Sequence, residues 1–212
     1  MGNIVARYLG TGLDYHGVWQ QMQTFTCERT ADTQDELWLL EHRPVFTLGR
    51  NAKHEHVLAA GDIPVIQVDR GGQVTYHGPG QLIVYLLLDI RRKGLGVREL
   101  VVRIEQAIID LLAHYQVSGL GNRKAPGVYI DNRKVAALGL RVSKGCTYHG
   151  LGLNVCMDTE PFQRINPCGY PGLQVTQCCD WGMPDNALEL TGDLCAYLAK
   201  QLGYDQIEWQ VS

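Results

Sequence analysis

Long apolar runs are scarce in this sequence, and their scarcity excludes membrane-spanning proteins. The chain has 212 residues, of which 45% are hydrophobic, yet no apolar stretch approaches the roughly 20 residues that a transmembrane helix needs. Residues 1–7 also lack the apolar core of a secretory signal. We therefore expect a cytoplasmic chain. Because this length suffices for one buried core, we predict a single domain over 1–212.

Runs of basic residues are also missing. Lys and Arg number 19 against 22 Asp and Glu, which gives a formal net charge of -3. Nucleic acids and anionic membrane surfaces are usually bound by clustered positive charge. The composition therefore predicts no nucleic acid and no membrane as partners.

Cysteines at metal-binding spacing are absent as well. The chain has seven cysteines, an odd number, and no Cys-x-x-Cys pair. Structural zinc sites and small disulfide frameworks show themselves through cysteines paired at short, regular spacing. We predict no metal site and reduced thiols.

Predicted strands and helices alternate along the chain. Apolar residues three and four apart predict helices over 15–29, 97–115 and 187–202, the last ended by Gly203. Apolar and alternating segments predict strands over 4–8, 35–42, 45–49, 63–69, 82–90, 128–130, 134–142 and 147–155. Segment 82–90 is apolar on both faces, as a central strand is. These elements indicate an α/β (α+β) protein.

A glycine-rich run over residues 70–81 leads straight into that central strand. It places four glycines, Arg70, His77 and Pro79 within twelve positions. Glycine permits positive φ angles and lets a ligand approach the backbone closely. The run predicts a binding loop held on a buried strand, with a plain glycine-rich hairpin as the alternative.

Glycines also occupy one face of the predicted strand 147–155. Alternation places Leu151 and Leu153 on one face, and Gly150 and Gly152 on the other. Neighbouring glycines on one face weaken a strand and indicate the close approach of another group. Both an acyl chain and a packed helix fit that description.

One cysteine, Cys168, lies where burial is hard to achieve. Its segment, Asn-Pro-Cys-Gly-Tyr-Pro-Gly over 166–172, favours turns throughout. A thiol acts as a nucleophile in its thiolate form, which a neighbouring cation favours. The candidate cations are His77, His149 and Lys134.

The remaining cysteines are weaker candidates. Cys27, Cys156 and Cys195 lie in apolar or amphipathic segments, where a free cysteine commonly fills space. Cys178 and Cys179 are adjacent and are expected at the surface. Cys168 is therefore the predicted nucleophile.

Four motifs in order resemble the lipoyl(octanoyl) transferase family. They are the run 70–81, Arg-Lys-Val-Ala-Ala-Leu-Gly over 133–139, His-Gly-Leu-Gly-Leu-Asn-Val over 149–155, and Asn-Pro-Cys-Gly over 166–169. Leu-Gly-Arg at 48–50 extends the likeness upstream, so that order and spacing agree over nearly the whole chain. One departure is Gly152, where alanine is also familiar in the family, and it bears on pocket width.

The resemblance implies an octanoyl-[acyl-carrier-protein]:protein N-octanoyltransferase that needs no cofactor. The donor would be octanoyl-acyl carrier protein. The acceptors would be lysines of lipoyl domains, in 2-oxoacid dehydrogenase complexes and in the glycine cleavage H protein. The implied fold is a mixed β-sheet flanked by helices, shared with biotin and lipoate protein ligases.

The same resemblance implies roles for individual residues. Cys168 matches the cysteine that becomes acylated, and Lys134 matches the lysine that activates it. The implied substrate-binding residues are Arg70, Gly71, Gly72, Gln73, Val74, Thr75, Tyr76, His77, Ala137, Leu138, Gly139, Gly150, Leu151 and Gly152. Because both partner proteins are typically acidic, docking charges are expected among Arg50, Lys53, Arg91, Arg92 and Lys93.

Three other functions fit parts of the sequence. An ATP-dependent lipoate or biotin ligase shares the implied fold, and a glycine-rich loop near an arginine suits a phosphate. Such a ligase has no use for a nucleophilic cysteine. A non-catalytic acyl-binding module would keep the pocket alone, and an amidotransferase would take the acyl group from an octanoylated protein. Dependence on ATP separates the ligase from the transferase.

Overall fold

The computed structural model describes residues 2–122 and 125–211 of the chain. Its strands are β1 (Gly2–Leu13), β2 (Asp35–His42), β3 (Val45–Leu48), β4 (Val65–Gln67), β5 (Val74–His77), β6 (Gln81–Leu87), β7 (Leu120–Gly121), β8 (Gly127–Ile130), β9 (Arg133–Ser143), β10 (Cys146–Asn154) and β11 (Tyr204–Val211). Its helices are α1 (Tyr15–Glu28), α2 (Val97–His114) and α3 (Ala187–Leu202). Within the described ranges, no helix is both long and apolar enough to cross a membrane.

Eight strands form one large mixed sheet, in the order β11-β1-β2-β6-β10-β9-β8-β7. β1 runs parallel to both of its neighbours, β11 and β2. Every other neighbouring pair in this sheet is antiparallel. The motif-bearing strands β9 and β10 therefore lie side by side, next to the central strand β6.

Alternation along the central strands divides the core into two layers. Leu82, Val84 and Leu86 of β6 join the larger cluster, which includes the apolar faces of α2 and α3. Ile83 and Tyr85 point the other way and pack with residues of α1. Both faces of the strand are covered by helices, which explains its continuous apolar sequence.

Three strands form a second, smaller sheet in the order β4-β3-β5. Phe46 and Leu48 of β3 pack with Val74 and Tyr76 of β5 and with Ile165, which lies just before the Cys168 turn. The small sheet therefore fixes the glycine-rich run beside the predicted nucleophile.

Several strands differ from the sequence prediction. The glycine-rich run is not a loop throughout, because its residues 74–77 form β5, paired antiparallel with β3. β11 has no counterpart in the prediction, because half of its eight residues are polar and no continuous apolar run marks it; it is held at the sheet edge by parallel pairing with β1. The predicted strand 63–69 shortens to three residues, because it is an edge strand that pairs with β3 alone.

Candidate active site

Cys168 lies in a turn with a strained backbone. Pro167–Gly169 form one short 3-10 turn, in which Cys168 has φ 57° and ψ 15°. A left-handed conformation of this kind costs a non-glycine residue roughly 1–3 kcal/mol and persists only where the surroundings hold it. The thiol is half-buried, less open than the turn sequence suggests. The turn presents this one side chain at a fixed place.

Backbone hydrogen bonds tie the segment around Cys168 to two parts of the structure. Asn166 N donates to His56 O at 2.8 Å. On the far side, Lys134 N donates to Gln174 O at 2.9 Å, and Thr176 N donates to Lys134 O at 3.0 Å. The segment is therefore joined directly to the residue of β9 that faces the thiol.

Lys134 is the cation that contacts Cys168. Its Nζ lies 3.1 Å from Cys168 Sγ and donates to Pro126 O at 3.0 Å. It also lies 5.1 Å from the ring centroid of Tyr129. Burial opposes the charge, but the Cys168 sulfur and Tyr129 outweigh it, so that the pKa of Lys134 is raised. Of the three candidate cations, Lys134 is the one bonded to the sulfur.

A cavity extends from Cys168 between the glycine-rich run and strands β9 and β10. Twelve of the fourteen predicted substrate-binding residues line it: Arg70, Gly72, Gln73, Val74, Thr75, His77, Ala137, Leu138, Gly139, Gly150, Leu151 and Gly152. Three separate sequence motifs therefore meet at one cavity, with the nucleophile at its wall.

Gly71 and Tyr76 do not line this cavity. Gly71 N donates to Leu140 O at 2.9 Å, which joins the glycine-rich run to β9. Tyr76 is buried, with its ring 5.5 Å from those of Phe46 and Phe162. Because alternation in β5 turns residue 76 away from the cavity, its role in this structure is to pack the small core.

Four other residues line the cavity without appearing among the predicted binding residues. They are Tyr15, Gln81, Tyr85 and His149. Gln81 ends the glycine-rich run and His149 was a candidate base, so the sequence offered a signal for both. Tyr15 and Tyr85 follow the apolar pattern of their elements and cannot be told from core residues by sequence.

Histidines beside the cavity are held in their neutral form. Burial lowers the pKa of His42 to about 4 and that of His77 to about 3. His42 Nε2 lies 2.7 Å from the Tyr85 hydroxyl, and His77 Nδ1 lies 2.8 Å from Gln81 Oε1. Paired, uncharged rings suit a wall that receives an apolar chain.

His149 is anchored by a carboxylate instead. Its Nε2 lies 2.9 Å from Asp69 Oδ1, and Trp19 and Tyr148 also donate to Asp69. Burial alone would raise the pKa of Asp69, but these donors lower it overall. For His149, burial lowers the pKa, whereas the nearby Asp69 acts to raise it. These hydrogen bonds to Asp69 hold the His149 ring in place where it lines the cavity.

Arg70 is a buried positive charge close to the nucleophile. Its guanidinium donates to Thr47 O at 2.6 Å, to Thr47 Oγ1 at 2.8 Å and to Gly71 O at 2.9 Å. Burial lowers the pKa of Arg70, while the nearby Tyr15 and Cys168 raise it.

The other cysteines depart from the sequence prediction in three ways. Cys156 and Cys179 are joined in a disulfide, with their Cα atoms 5.5 Å apart, so the prediction of reduced thiols is wrong for this pair. Cys156 follows strand β10 and Cys179 lies in a short 3-10 turn over Cys178–Trp181; their sequence spacing does not reveal that they meet. Cys178 is buried rather than at the surface, and Cys27 is exposed rather than space-filling.

The candidate docking charges divide into two groups. Arg92 donates to Asp35 at 2.8 Å, and Lys93 Nζ lies 3.6 Å from the ring centroid of Tyr204, so both are engaged near β11. Arg50, Lys53 and Arg91 are exposed, as Arg92 also is, and Lys53 Nζ pairs with Glu55 Oε1 at 3.3 Å. Lys53 N donates to Gln73 Oε1 at 3.2 Å, which places residue 53 beside a cavity-lining side chain.

Curated relatives match almost the whole chain. An octanoyltransferase from Shewanella sp. (strain ANA-3) is 58% identical over 201 residues, which cover 95% of this chain and 92% of that protein. A second octanoyltransferase, from Shewanella oneidensis, shows the same identity and coverage. The predicted enzyme class, an acyltransferase that moves octanoyl groups in protein lipoylation, is confirmed.

Solved structures and a family model agree with these relatives. Lipoate-protein ligase A bound with ATP superposes with a TM-score of 0.81 at 13% identity, over 100% of this chain and 89% of that one. This likeness confirms the predicted fold, a mixed sheet flanked by helices of the lipoate ligase type. The model described as lipoyl protein ligase A/B catalytic domain matches residues 14–186. The chain therefore belongs to the lipoyl protein ligase A/B catalytic domain family.

Proposed function

We propose that octanoyl transfer by this chain proceeds in two steps through a thioester on Cys168. The observation that carries this proposal is the 3.1 Å contact between Lys134 Nζ and Cys168 Sγ at the wall of the cavity. A lysine ammonium at hydrogen-bond distance favours the thiolate, which is the reactive form of cysteine. The acyl chain would lie in the cavity between the glycine-rich run and strands β9 and β10.

In the first step, the thiolate attacks the carbonyl carbon of the donor thioester. The bond from that carbon to the donor sulfur breaks, and the donor leaves as a thiolate. Lys134 gives its proton to this leaving group, so the products are a free donor thiol, a Cys168 thioester and a neutral Lys134 amine. One thioester replaces another, so the step is nearly balanced in free energy.

In the second step, a neutral amine of the acceptor lysine attacks the Cys168 thioester. The bond from carbon to sulfur breaks, Cys168 leaves as the thiolate, and the new amide nitrogen loses a proton to Lys134. The ammonium and thiolate are thereby restored for the next cycle. Because an amide is more stable than a thioester, this step drives transfer without a nucleotide.

We assign the donor as octanoyl-acyl carrier protein, which presents its acyl group as a thioester. The acceptors are lipoyl domains, those of 2-oxoacid dehydrogenase complexes and the glycine cleavage H protein, and the compartment is the cytoplasm. The names of the curated relatives and of the family support octanoyl transfer and lipoyl acceptors in general. Exposed Arg50 and Lys53 suit an acidic partner at the cavity mouth.

Intact-protein mass spectrometry tests the thioester step. The chain is incubated with octanoyl-acyl carrier protein and no ATP, beside Cys168→Ala. We expect one octanoyl adduct on the unchanged chain, none on the variant, and transfer of the adduct to an added lipoyl domain. Cys195→Ala is the matched control. It removes a buried cysteine that does not line the cavity, so this variant should keep the adduct.

The same preparation separates this mechanism from an ATP-dependent ligase. A ligase would modify the lipoyl domain only when ATP and free octanoate are supplied, and it would tolerate Cys168→Ala. An adduct that persists in Cys168→Ala would also argue against the proposal, since another residue would then carry the acyl group.

A further inference from the structure

We propose that Glu105 is a positioning residue for this reaction, and that its carboxylate acts on Lys134 through the peptide unit between Pro126 and Gly127. The inference rests on the proposed roles of Cys168 and Lys134. It concerns a buried carboxylate that the two-step mechanism does not otherwise use.

Two hydrogen bonds to one peptide unit connect Glu105 with Lys134. Gly127 N donates to Glu105 Oε1 at 2.8 Å. The carbonyl of the same peptide unit, Pro126 O, accepts from Lys134 Nζ at 3.0 Å. Lys134 Nζ in turn lies 3.1 Å from Cys168 Sγ. The connection therefore runs from carboxylate to peptide to ammonium to sulfur without a gap.

Gly127 is what lets this peptide unit lie so close to Lys134. Its φ is 142°, and a Cβ built there would lie 2.5 Å from Ala136 O and 3.1 Å from both Cε and Nζ of Lys134. A side chain at residue 127 would therefore push the peptide and the ammonium apart. The glycine marks a packed contact and is more than a flexible link.

Among the residues that the structure describes, Lys134 is the charged side chain that acts on Glu105. Glu105 is 7% exposed, on the face of α2 that meets the sheet. β7 presents Gly121 to its Oε2, β8 presents the Gly127 amide, and β9 presents Lys134. Burial raises the pKa of Glu105, while the Gly127 amide and Lys134 act to lower it.

Other titratable groups also lie near Lys134 and Cys168. Tyr129 donates to Ala125 O at 2.8 Å and has a pKa raised chiefly by burial, with Lys134 acting to lower it. Tyr170 also acts on Tyr129, and Arg70 lies near Cys168. On α2 itself, Glu99 and Arg103 pair with each other at 2.7 Å.

A carboxylate at the N–H end of a peptide unit strengthens the acceptor at its C=O end, because hydrogen bonds in a chain polarise one another. A stronger Pro126 carbonyl holds the Lys134 proton on nitrogen and fixes the direction of the ammonium. Both effects favour the ammonium and thiolate pair over the neutral amine and thiol. Burial of a carboxylate destabilises the folded state unless the carboxylate is paired. A role in the reaction would explain why this chain has a carboxylate at residue 105.

The test measures alkylation of Cys168 by iodoacetamide as a function of pH, followed by mass spectrometry of the peptide that contains residue 168. Glu105→Gln keeps the size and an acceptor for Gly127 N but removes the charge. We expect the midpoint pH of alkylation to rise by about one unit and the rate at pH 7 to fall about tenfold. We expect kcat for octanoyl transfer to fall in parallel, with KM for octanoyl-acyl carrier protein unchanged.

Two further variants test whether the negative charge must be at residue 105 to affect Cys168. Glu99→Gln removes the same charge from an exposed position on the same helix, and its midpoint should equal that of the unchanged chain. Glu105→Asp restores a carboxylate and should return the midpoint toward that of the unchanged chain. Should Glu105→Gln not fold, Glu105→Met fills the same volume and carries the same expectation.

The outcomes distinguish this inference from the function on which it rests. A folded Glu105→Gln chain with an unchanged midpoint overturns the role of Glu105 and leaves the pair of Cys168 and Lys134 standing. Lys134→Met should raise the midpoint further than Glu105→Gln does. If Lys134→Met leaves the midpoint unchanged, the proposed activation of Cys168 fails, and the role of Glu105 fails with it.

Discussion

Buried neutral histidines make the stability of this protein sensitive to acid. The unfolded chain binds a proton on histidine near pH 6.5, whereas burial lowers the folded pKa of His42 to about 4 and of His77 to about 3. Between these values the unfolded state binds more protons, so the free energy of unfolding falls as the pH falls below about 6.5. At pH 5, each histidine should lower it by about 2 kcal/mol. Urea unfolding at pH 7 and pH 5 measures this loss.

Single substitutions assign that loss to particular rings. In His77→Gln the difference between pH 7 and pH 5 should shrink by about 2 kcal/mol, because one of the protonation sites is gone. His16→Gln is the control, since His16 is exposed on α1 and should keep the full difference. An undiminished difference in His77→Gln would mean that His77 does not stay neutral in the folded chain.

Strand β10 contains two glycines that differ in how much space surrounds them. A Cβ at Gly150 would lie 2.0 Å from Val84 O, a backbone atom of β6 that cannot move alone. A Cβ at Gly152 would lie 3.2 Å from Gln81 Oε1 and 3.3 Å from Ile83 Cδ1, both in side chains. Gly150→Ala should therefore cost about 3 kcal/mol or more, and Gly152→Ala under about 1 kcal/mol. Chemical denaturation of the two variants measures the difference.

These two variants also separate strand packing from cavity width. Gly152→Ala should fold normally, and any loss of octanoyl transfer in it reports a narrower cavity. Equal stability of the two variants would show that β6 gives way at Val84, contrary to the close approach that the paired strands impose.

Elements with a strong local pattern were predictable, whereas those set by distant pairing were not. The helix α2 and the strand β6 could be predicted from the sequence. Burial on one side gives a helix an apolar stripe, and burial on both sides gives a strand a continuous apolar run. β11 depends on parallel pairing with β1, some 200 residues away, and half of its own residues are polar. Tyr85 looks like any core residue of β6, so its place at the cavity could not be foreseen.

Placement of the site residues depends on how the two sheets and one long segment meet. β9 of the large sheet carries Lys134, and β5 of the small sheet carries residues 74–77 of the glycine-rich run. The segment from Cys156 to Cys179 crosses between them and brings Cys168 to Lys134, 34 residues away in sequence. The motifs named the residues, but only the whole fold supplies their distances. No sequence motif includes Glu105, so its contact with Gly127 could be found only from the complete fold.

The disulfide between Cys156 and Cys179 closes the segment that carries Cys168. These residues are 23 apart in sequence, and cross-linking a loop of that size restricts the unfolded chain by about 3 kcal/mol in the chain-entropy model. The oxidised chain, once unfolded, should take up five alkyl groups out of a possible seven, since five cysteines are free. Its free energy of unfolding should exceed that of the reduced chain by about 3 kcal/mol.

Thiol counting and urea unfolding, each with and without reductant, test this expectation on one preparation. Cys179→Ser should unfold like the reduced chain under both conditions, whereas Cys27→Ser, which removes an exposed free thiol, should keep the difference. Reducing conditions oppose such a bond, because they keep thiols from pairing. Seven alkyl groups on the untreated chain would therefore mean that the hydrogen bonds of Asn166, Gln174 and Thr176, and not the disulfide, hold Cys168 against Lys134.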